Sequence, residues 1–524
     1  MTDATTVRRR HIARNVLLVA AAFTLAAAVG LLRNMIIAQT FGIGADLDAY
    51  YAAFKLPDLL FSVVAGGALA TAFIPVFAGF AAADDRTAAW RLASAITNWV
   101  VLITGALAAL AALFSPWLVR FLIAPGFNPA LQAETAAVMR LVLISTVIFA
   151  ASAVQGSILN GLKHFLLPAL APVVYPLGVI AGALWLAPRW GVAGLAAGAV
   201  IGSALHLGIQ VPGLIRFGFR WQPILDARNP AVRQVARLMG PRVLDLGVFH
   251  LTLVATTNLA SRLGPGRVSA LEWGWDAMQL PETIIGTAFG LVVFPTLADL
   301  AARRDQDGLR RTLGESLRTV LALALPASVA LILLGRPLLA LLYQRGEFDA
   351  VATEMVYVAL RFYALGLAAH ACLELVARAF FAGQDTVTPL YLAMASAAAS
   401  IGLGILLMQP LDYAGLALAN SLAVTGEVIA LLLILRRRWG GVEGRRTLAA
   451  LGRVLAASLV MGGAIILVTQ SAERAELGRL FTVGFGGIIG MIAYLFAARL
   501  LGVHEIGRFM AAVLGRDSET GRNS

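Results

Sequence analysis

Long apolar runs recur fourteen times in this chain, at about 15–39, 49–80, 90–117, 135–160, 166–187, 192–215, 235–262, 268–298, 317–345, 351–382, 387–408, 413–436, 449–470 and 477–503. A helix needs about 20 apolar residues to cross a bilayer, so each run can span one. Lipid offers the backbone no hydrogen-bond partners, and only helices or closed barrels solve that problem. None of the runs alternates like a barrel strand. The expected fold class is an all-α polytopic membrane protein with about fourteen transmembrane helices. Composition agrees: 59% of residues are hydrophobic and 13% charged, against about a quarter charged in soluble proteins. A soluble enzyme, a secreted disulfide module and a disordered chain are excluded. The single cysteine, Cys372, rules out an internal disulfide.

The net charge of +12 is carried mainly by loops. Arg8, Arg9, Arg10, Arg86, Arg91, Arg303, Arg304 and Arg436 to Arg438 fall on the side of the N-terminus, and Arg508, Arg516 and Arg522 follow the last span. The opposite loops hold fewer. Cationic loops stay in the cytoplasm, so both termini are expected there, which requires an even number of spans. The charge is therefore no sign of nucleic-acid binding. The basic N-terminus reads as the lead-in to span one rather than a signal peptide, because the apolar stretch is long and contains Arg33.

The chain also carries a faint duplication. Val192-Ala193-Gly194-Leu195-Ala196 resembles Tyr413-Ala414-Gly415-Leu416-Ala417 at an offset of 221, and Pro168 matches Pro389. Lys55-Leu56-Pro57-Asp58 resembles Gln279-Leu280-Pro281-Glu282 at an offset of 224, and Phe73-Ile74-Pro75 resembles Val293-Phe294-Pro295 at 220. The offset spans six helices, an even number, so the copies share one orientation. The expected architecture is two parallel six-helix lobes around a central cavity, at 1–217 and 235–438, two extra helices at 449–503 and a tail at 504–524. Rocking of the lobes is the transport mechanism such repeats suggest. Prolines in spans two and eight should break both helices at matching places.

Ionisable residues inside spans are costly and mark function or interior contacts. The first lobe offers Arg33, Asp48, Lys55 and Asp58. The second offers Asp245, Glu272, Asp276, Glu282, Glu374 and Glu427. Arg33 suits an anionic group, because guanidinium grips phosphate in a bidentate fork; a structural pair with Asp48 is the alternative. Lys55 either joins it or snorkels to the interface. Glu272 and Asp276 lie one turn apart and could hold a cation or a proton. Thr256, Thr257 and Asn258 form a polar patch in span seven, and Asn420 sits in span twelve. Their oxygens can ligate a monovalent cation or bond between helices. His206, His250 and His370 are scattered without metal spacing. No phosphate-cradling loop occurs, so the chain has no ATPase of its own. An ion gradient or the membrane potential is the expected energy source, and no cofactor is expected.

Several short runs together resemble one family. Gly30-Leu31-Leu32-Arg33-Asn34, Phe41-Gly42-Ile43-Gly44, Asp48-Ala49-Tyr50, Phe54-Lys55-Leu56-Pro57 and Ala72-Phe73-Ile74-Pro75 are similar to the opening of the MurJ/MviN lipid II flippases. Ala124-Pro125-Gly126-Phe127, Met239-Gly240-Pro241, Gly346-Glu347-Phe348-Asp349 and Ala382-Gly383-Gln384-Asp385-Thr386 follow in order. The resemblance implies the multidrug/oligosaccharidyl-lipid/polysaccharide exporter fold, with the last two helices forming a groove for a lipid tail. It implies a protein of the bacterial inner membrane that moves lipid-linked peptidoglycan precursor to the outer leaflet by alternating access. Expected partners are that lipid-linked glycan, membrane lipids and cell-wall synthesis proteins, around a monomer. By alignment, further family arginines fall on Ala27, Phe61 and Asp276, a family acid falls on Gly66, and the Asp after Arg33 is Asn34. Two other readings stay open: cation-coupled efflux, favoured by the span-eight carboxylates, and a non-transporting scaffold for envelope synthesis.

Overall fold

The computed structural model describes residues 2–505 and 507, without the side chains of 2–17, 19–20, 67–68, 81 and 240–245. The side chains of Asp245 and of the arginines at 8–10, and the arginines at 508, 516 and 522 altogether, thus lie outside what the structure describes. Every regular element described is helical. Leaving aside four short segments, Ser115–Leu118, Val119–Ile123, Gly182–Leu186 and Val211–Arg216, the first half holds α1 (Thr2–Phe41), α2 (Ala45–Val64), α3 (Gly67–Ala82), α4 (Arg86–Leu113), α5 (Pro129–Gly161), α6 (Leu166–Ala181), α7 (Ala187–Gly208) and α8 (Pro230–Ala260). The second half holds α9 (Arg267–Glu282), α10 (Ala288–Ala302), α11 (Gln306–Tyr343), α12 (Ala350–Ala382), α13 (Val387–Leu411), α14 (Tyr413–Trp439), α15 (Gly444–Arg474) and α16 (Arg479–Leu500).

Among the described residues, twelve helical runs are long and apolar enough to cross a membrane. The longest, Leu166–Arg216, breaks at Gly191, whose backbone (φ 54°, ψ −137°) only glycine adopts without strain. Counting its two parts and the shorter apolar helix Leu246–Ala260 gives the fourteen expected spans. The expected breaks in spans two and eight are present but unlike. Span two stops at Ala65–Gly66 between α2 and α3. Span eight passes through a π-turn, Thr283–Thr287, directly after Pro281 and Glu282. Large apolar side chains such as Leu459, Leu467 and Phe496 are exposed on α15 and α16, as a lipid-facing surface requires.

Packing divides the chain into two compact units, Met1–Ser269 with Arg345–Phe348, and Ala270–Gln344 with Asp349–Ser524. The helix α8, placed by sequence at the start of the second lobe, packs on α2 and α3 in the first unit. The first unit buries Phe73, Phe77, Leu92 and Ile158 in one cluster. In the second, Leu297, Leu317, Leu375 and Phe380 form one core, and α15 and α16 close another with Val454, Ile465 and Tyr494.

The duplication reaches the backbone. Left-handed residues recur in pairs: Asp84 and Arg304 (φ 55° and 56°), Lys163 and Gln384 (61° and 60°), and Gly191 and Asp412 (both 54°). Helix caps recur as well. Asp85 accepts from Ala88 N at 2.9 Å and Asp305 from Gly308 N at 2.8 Å. Asn128 accepts from Leu131 N at 2.9 Å and Asp349 from Ala352 N at 2.8 Å. These side-chain oxygens satisfy amides that a helix start leaves unpaired.

Candidate functional site

In the first unit, α1 presents Arg33 half-buried. Its Nε and Nη2 donate to Asn34 Oδ1 at 3.0 and 2.7 Å, and no carboxylate among the described residues lies within ion-pair distance. One edge of the guanidinium is thus steadied by a neutral amide rather than by an ion pair. Tyr50, buried, and Tyr175, half-buried, lie within electrostatic range of Arg33 and Asp58. An aromatic wall continues from them. Tyr50 meets Phe54 at 4.7 Å between ring centroids, Tyr175 meets Phe149 at 5.0 Å, and Phe149 meets Phe61 at 5.8 Å. Phe61, where the resemblance places an arginine, is therefore part of an apolar surface. Lys55 is 5% exposed on α2 and acts electrostatically on His250 of α8.

Asp48 does not pair with Arg33. It is fully buried and accepts from Gly266 N at 2.5 Å and from Ser269 N and Oγ, both at 2.7 Å. A carboxylate on the first amides of α9 is favourable for the helix dipole as well as for the hydrogen bonds. Two glycines add to this clasp inside the first unit. A Cβ on Gly126 would collide with the backbone of Ser261 and Arg262, and one on Gly346 with the backbone of Gln39. Gly126 N donates to Ser261 Oγ at 3.2 Å, and Glu347 N to Gln39 O at 3.0 Å.

Two side chains of the span-seven patch donate to helix carbonyls. Thr256 Oγ1 donates to Thr252 O at 2.9 Å, and Asn258 Nδ2 to Leu122 O at 2.7 Å. Asn258 Oδ1 accepts from Arg262 at 3.0 Å. His206 is likewise structural: its Nδ1 lies 2.7 Å from Ser152 Oγ, which also accepts from Gln210 Nε2 at 2.7 Å.

In the second unit, Glu272 is half-buried on α9 and acts on Tyr363, while Asp276 one turn on is exposed. Trp275 stacks edge-on against Tyr363 and His370, each at 5.2 Å. His370 Nε2 is 3.1 Å from Asn420 Oδ1. Glu374 pairs with Arg378 one turn along α12. Glu282 faces the same helix: its carboxyl lies beside Gly286, which abuts Ala371, and Arg378 lies over Gly290. Glu282, Glu374 and Arg378 thus make a group with two carboxyls and one guanidinium.

Sequence reasoning missed Arg318. It is 8% exposed and binds Glu443 Oε2 at 2.7 Å and Glu505 Oε1 at 3.3 Å. The signal was available: an arginine inside the apolar run 317–345. Outside the spans, Asp385 accepts from Thr388 Oγ1 at 2.6 Å, Thr388 N at 2.9 Å and Arg438 Nη1 at 2.5 Å. Desolvation alone would raise its pKa, but these bonds outweigh it and hold the carboxyl at about 2.

Residues 37–485 match the family described as "Lipid II flippase MurJ". The chain belongs to the MurJ family. A "Lipid II flippase MurJ" of Burkholderia cenocepacia is 31% identical over 456 residues, which cover 85% of this chain and 88% of the relative. Among solved structures, a lipid II flippase MurJ in an inward closed conformation superimposes with a TM-score of 0.77 at 24% identity, over 92% of this chain and 98% of that one. A MATE multidrug transporter of the MOP superfamily, inward-facing, reaches 0.65 at 15% identity over 80% and 96%. Membership of the MurJ family makes this a multi-pass protein of the bacterial inner membrane and a transporter rather than an enzyme.

Proposed function

We propose that the chain carries lipid II, or a closely related lipid-linked glycan, from the cytoplasmic to the outer leaflet by alternating access, with both termini in the cytoplasm. Arg33 is the observation that carries this reading. It makes no ion pair among the described residues, stands beside Tyr50 and Tyr175 and keeps one edge of its fork unused. A pyrophosphate supplies the acceptor geometry such a fork matches. Lys55 adds a second cation nearby on the chain, while Asp48 holds the clasp to α9 closed. Glu272 and Asp276 take the polar part of the headgroup. Charge balance during the cycle falls to Glu374 with Arg378 and to Asn420 with His370, driven by a monovalent cation or the membrane potential; moving one charge across 100 mV is worth about 2.3 kcal/mol. Thr256 and Asn258 contribute by fixing α8. One copy suffices, since both repeats lie in one chain, and cell-wall synthesis proteins are the natural partners.

The test is native mass spectrometry of the purified chain. Polyprenyl-pyrophosphate lipid should co-purify with the wild type and be depleted in Arg33→Ala. Equal retention in both would overturn the role of Arg33.

A further inference from the structure

The segment after α7 is not a free linker. Residues 217–229 lie strapped across α4. Asn98 Nδ2 donates to Gln222 O at 2.8 Å and Ile224 O at 2.7 Å, Trp99 Nε1 donates to Leu225 O at 2.6 Å, and Trp221 Nε1 donates to Asn98 Oδ1 at 2.8 Å. Arg91 closes the far end on Asp226 at 3.3 Å. Held this way, the strap turns apolar surface outward. Trp221 is 59% exposed and Leu225 42%, flanked by Ile215 at 70% and Leu238 at 51%. Packing does not explain two exposed apolar side chains on a bound segment with two more on the helices that flank it. A headgroup interface does, since tryptophan with its N–H satisfied favours that depth.

Beside the strap, the first turns of α8 form a recess of about 390 Å³ lined by Pro230, Arg233, Gln234, Arg237 and Leu238. Arg233 and Arg237 are four apart and share a helix face. Arg233 spends one bond on Ala227 O at 3.2 Å. Neither has a carboxylate partner among the described residues, and the acid of the strap, Asp226, is engaged by Arg91 and Asn229. Arg216, Arg220 and Arg228 add charge along the same stretch. Two unpaired guanidinium groups, an amide donor and an adjoining leucine make a site for a phosphate that carries a hydrocarbon chain. The loop arginines assign this side to the cytoplasmic leaflet, which is anionic.

We propose that the recess at the start of α8 binds the phosphate of an anionic phospholipid of the cytoplasmic leaflet, with Arg233 and Arg237 as its ligands and the strap as its interfacial anchor. This site is separate from Arg33 and does not depend on the transported lipid.

The full-length protein in detergent would be titrated with phosphatidylglycerol, with phosphatidylcholine and with inorganic phosphate, and bound lipid counted by native mass spectrometry. The variant Arg233→Gln/Arg237→Gln would be compared with Arg436→Gln/Arg437→Gln, which removes the same charge from exposed positions at the end of α14. Saturable binding of phosphatidylglycerol to the wild type is expected, weakened by at least about tenfold in the recess variant and little changed in the control, since each interfacial cation contributes several-fold. Thermal midpoints of both variants should match the wild type, because the four side chains are exposed. Equal weakening in both variants would show bulk charge rather than a site and overturn the proposal. Wild-type binding in the recess variant would overturn it too. Phosphate alone binding as tightly as phosphatidylglycerol would identify a free-anion site and overturn the lipid assignment.

Discussion

Asn98 and Arg318 occupy equivalent places in the two repeats, 220 residues apart, as do the turns that precede their helices at Asp84 and Arg304. Each anchors the segment that leaves its own repeat. Asn98 accepts from Trp221 at 2.8 Å, in the strap after α7. Arg318 donates to Glu443 at 2.7 Å, in the connection after α14. The geometry is kept and the chemistry is not. The neutral pair lies where Trp221 is 59% exposed, whereas Arg318 is 8% exposed beneath the extra helices, with Glu505 beyond α16 as a second partner. A duplicated backbone thus acquires buried charge where new helices cover it. The ionisable groups proposed for the site differ too, with Arg33, Lys55 and Asp48 in the first repeat and Glu272, Asp276 and Glu374 in the second.

The largest effect should come from making the second repeat copy the first. Arg318→Asn leaves Glu505 without its cation and Glu443 with only the exposed Arg446, and should cost about 3 kcal/mol, read as a lower unfolding midpoint in detergent. Asn98→Ala loses only neutral hydrogen bonds, about 1–2 kcal/mol. A smaller loss for Arg318→Asn than for Asn98→Ala would break the comparison. Next come the two glycines of the clasp. Gly346→Ala collides with Gln39 at a left-handed φ of 57°, and Gly126→Ala collides with Ser261 without that strain. Both should destabilise, Gly346→Ala more, by about 2 kcal/mol.

The paired breaks at Gly191 and Asp412 predict opposite signs for reciprocal changes. Gly191→Ala should lower stability by about 1–2 kcal/mol, while Asp412→Gly should raise it by up to about 1 kcal/mol as strain is relieved. The smallest effect concerns Asp385, whose counterpart in the first repeat is His164. Because its folded pKa of about 2 lies below the ordinary 3.8, its contribution is full above that value and lost as the pH falls through about 2. The midpoint gap between wild type and Asp385→Asn should stay constant from neutral pH to about pH 5 and close between about pH 4 and pH 2.

Much of the architecture was legible because the bilayer fixes run lengths and the duplication repeats its turns. Pro281 announced the π-turn that follows it, whereas α2 runs on through Pro57 to Val64 and turns only at Ala65–Gly66, so proline did not locate that break. The partners of polar groups were not legible. Asp48 faces α9 rather than Arg33, and Asn258 reaches Leu122 O, because both depend on which helices meet. Arg318 was readable as an arginine in an apolar run, but Glu443 and Glu505 lie 125 and 187 residues away. The place of α8 on α2 and α3 is a matter of packing that no local pattern encodes.

The most direct measurement follows lipid-linked peptidoglycan precursor in bacteria depleted of their own flippase, as the fraction accessible on the outer face of the membrane. Expression of this chain should restore that fraction, and Arg33→Ala inserted at the same level should not. A wild-type chain that is inserted yet leaves the precursor inside would contradict the account, as would an Arg33→Ala variant that restores it fully.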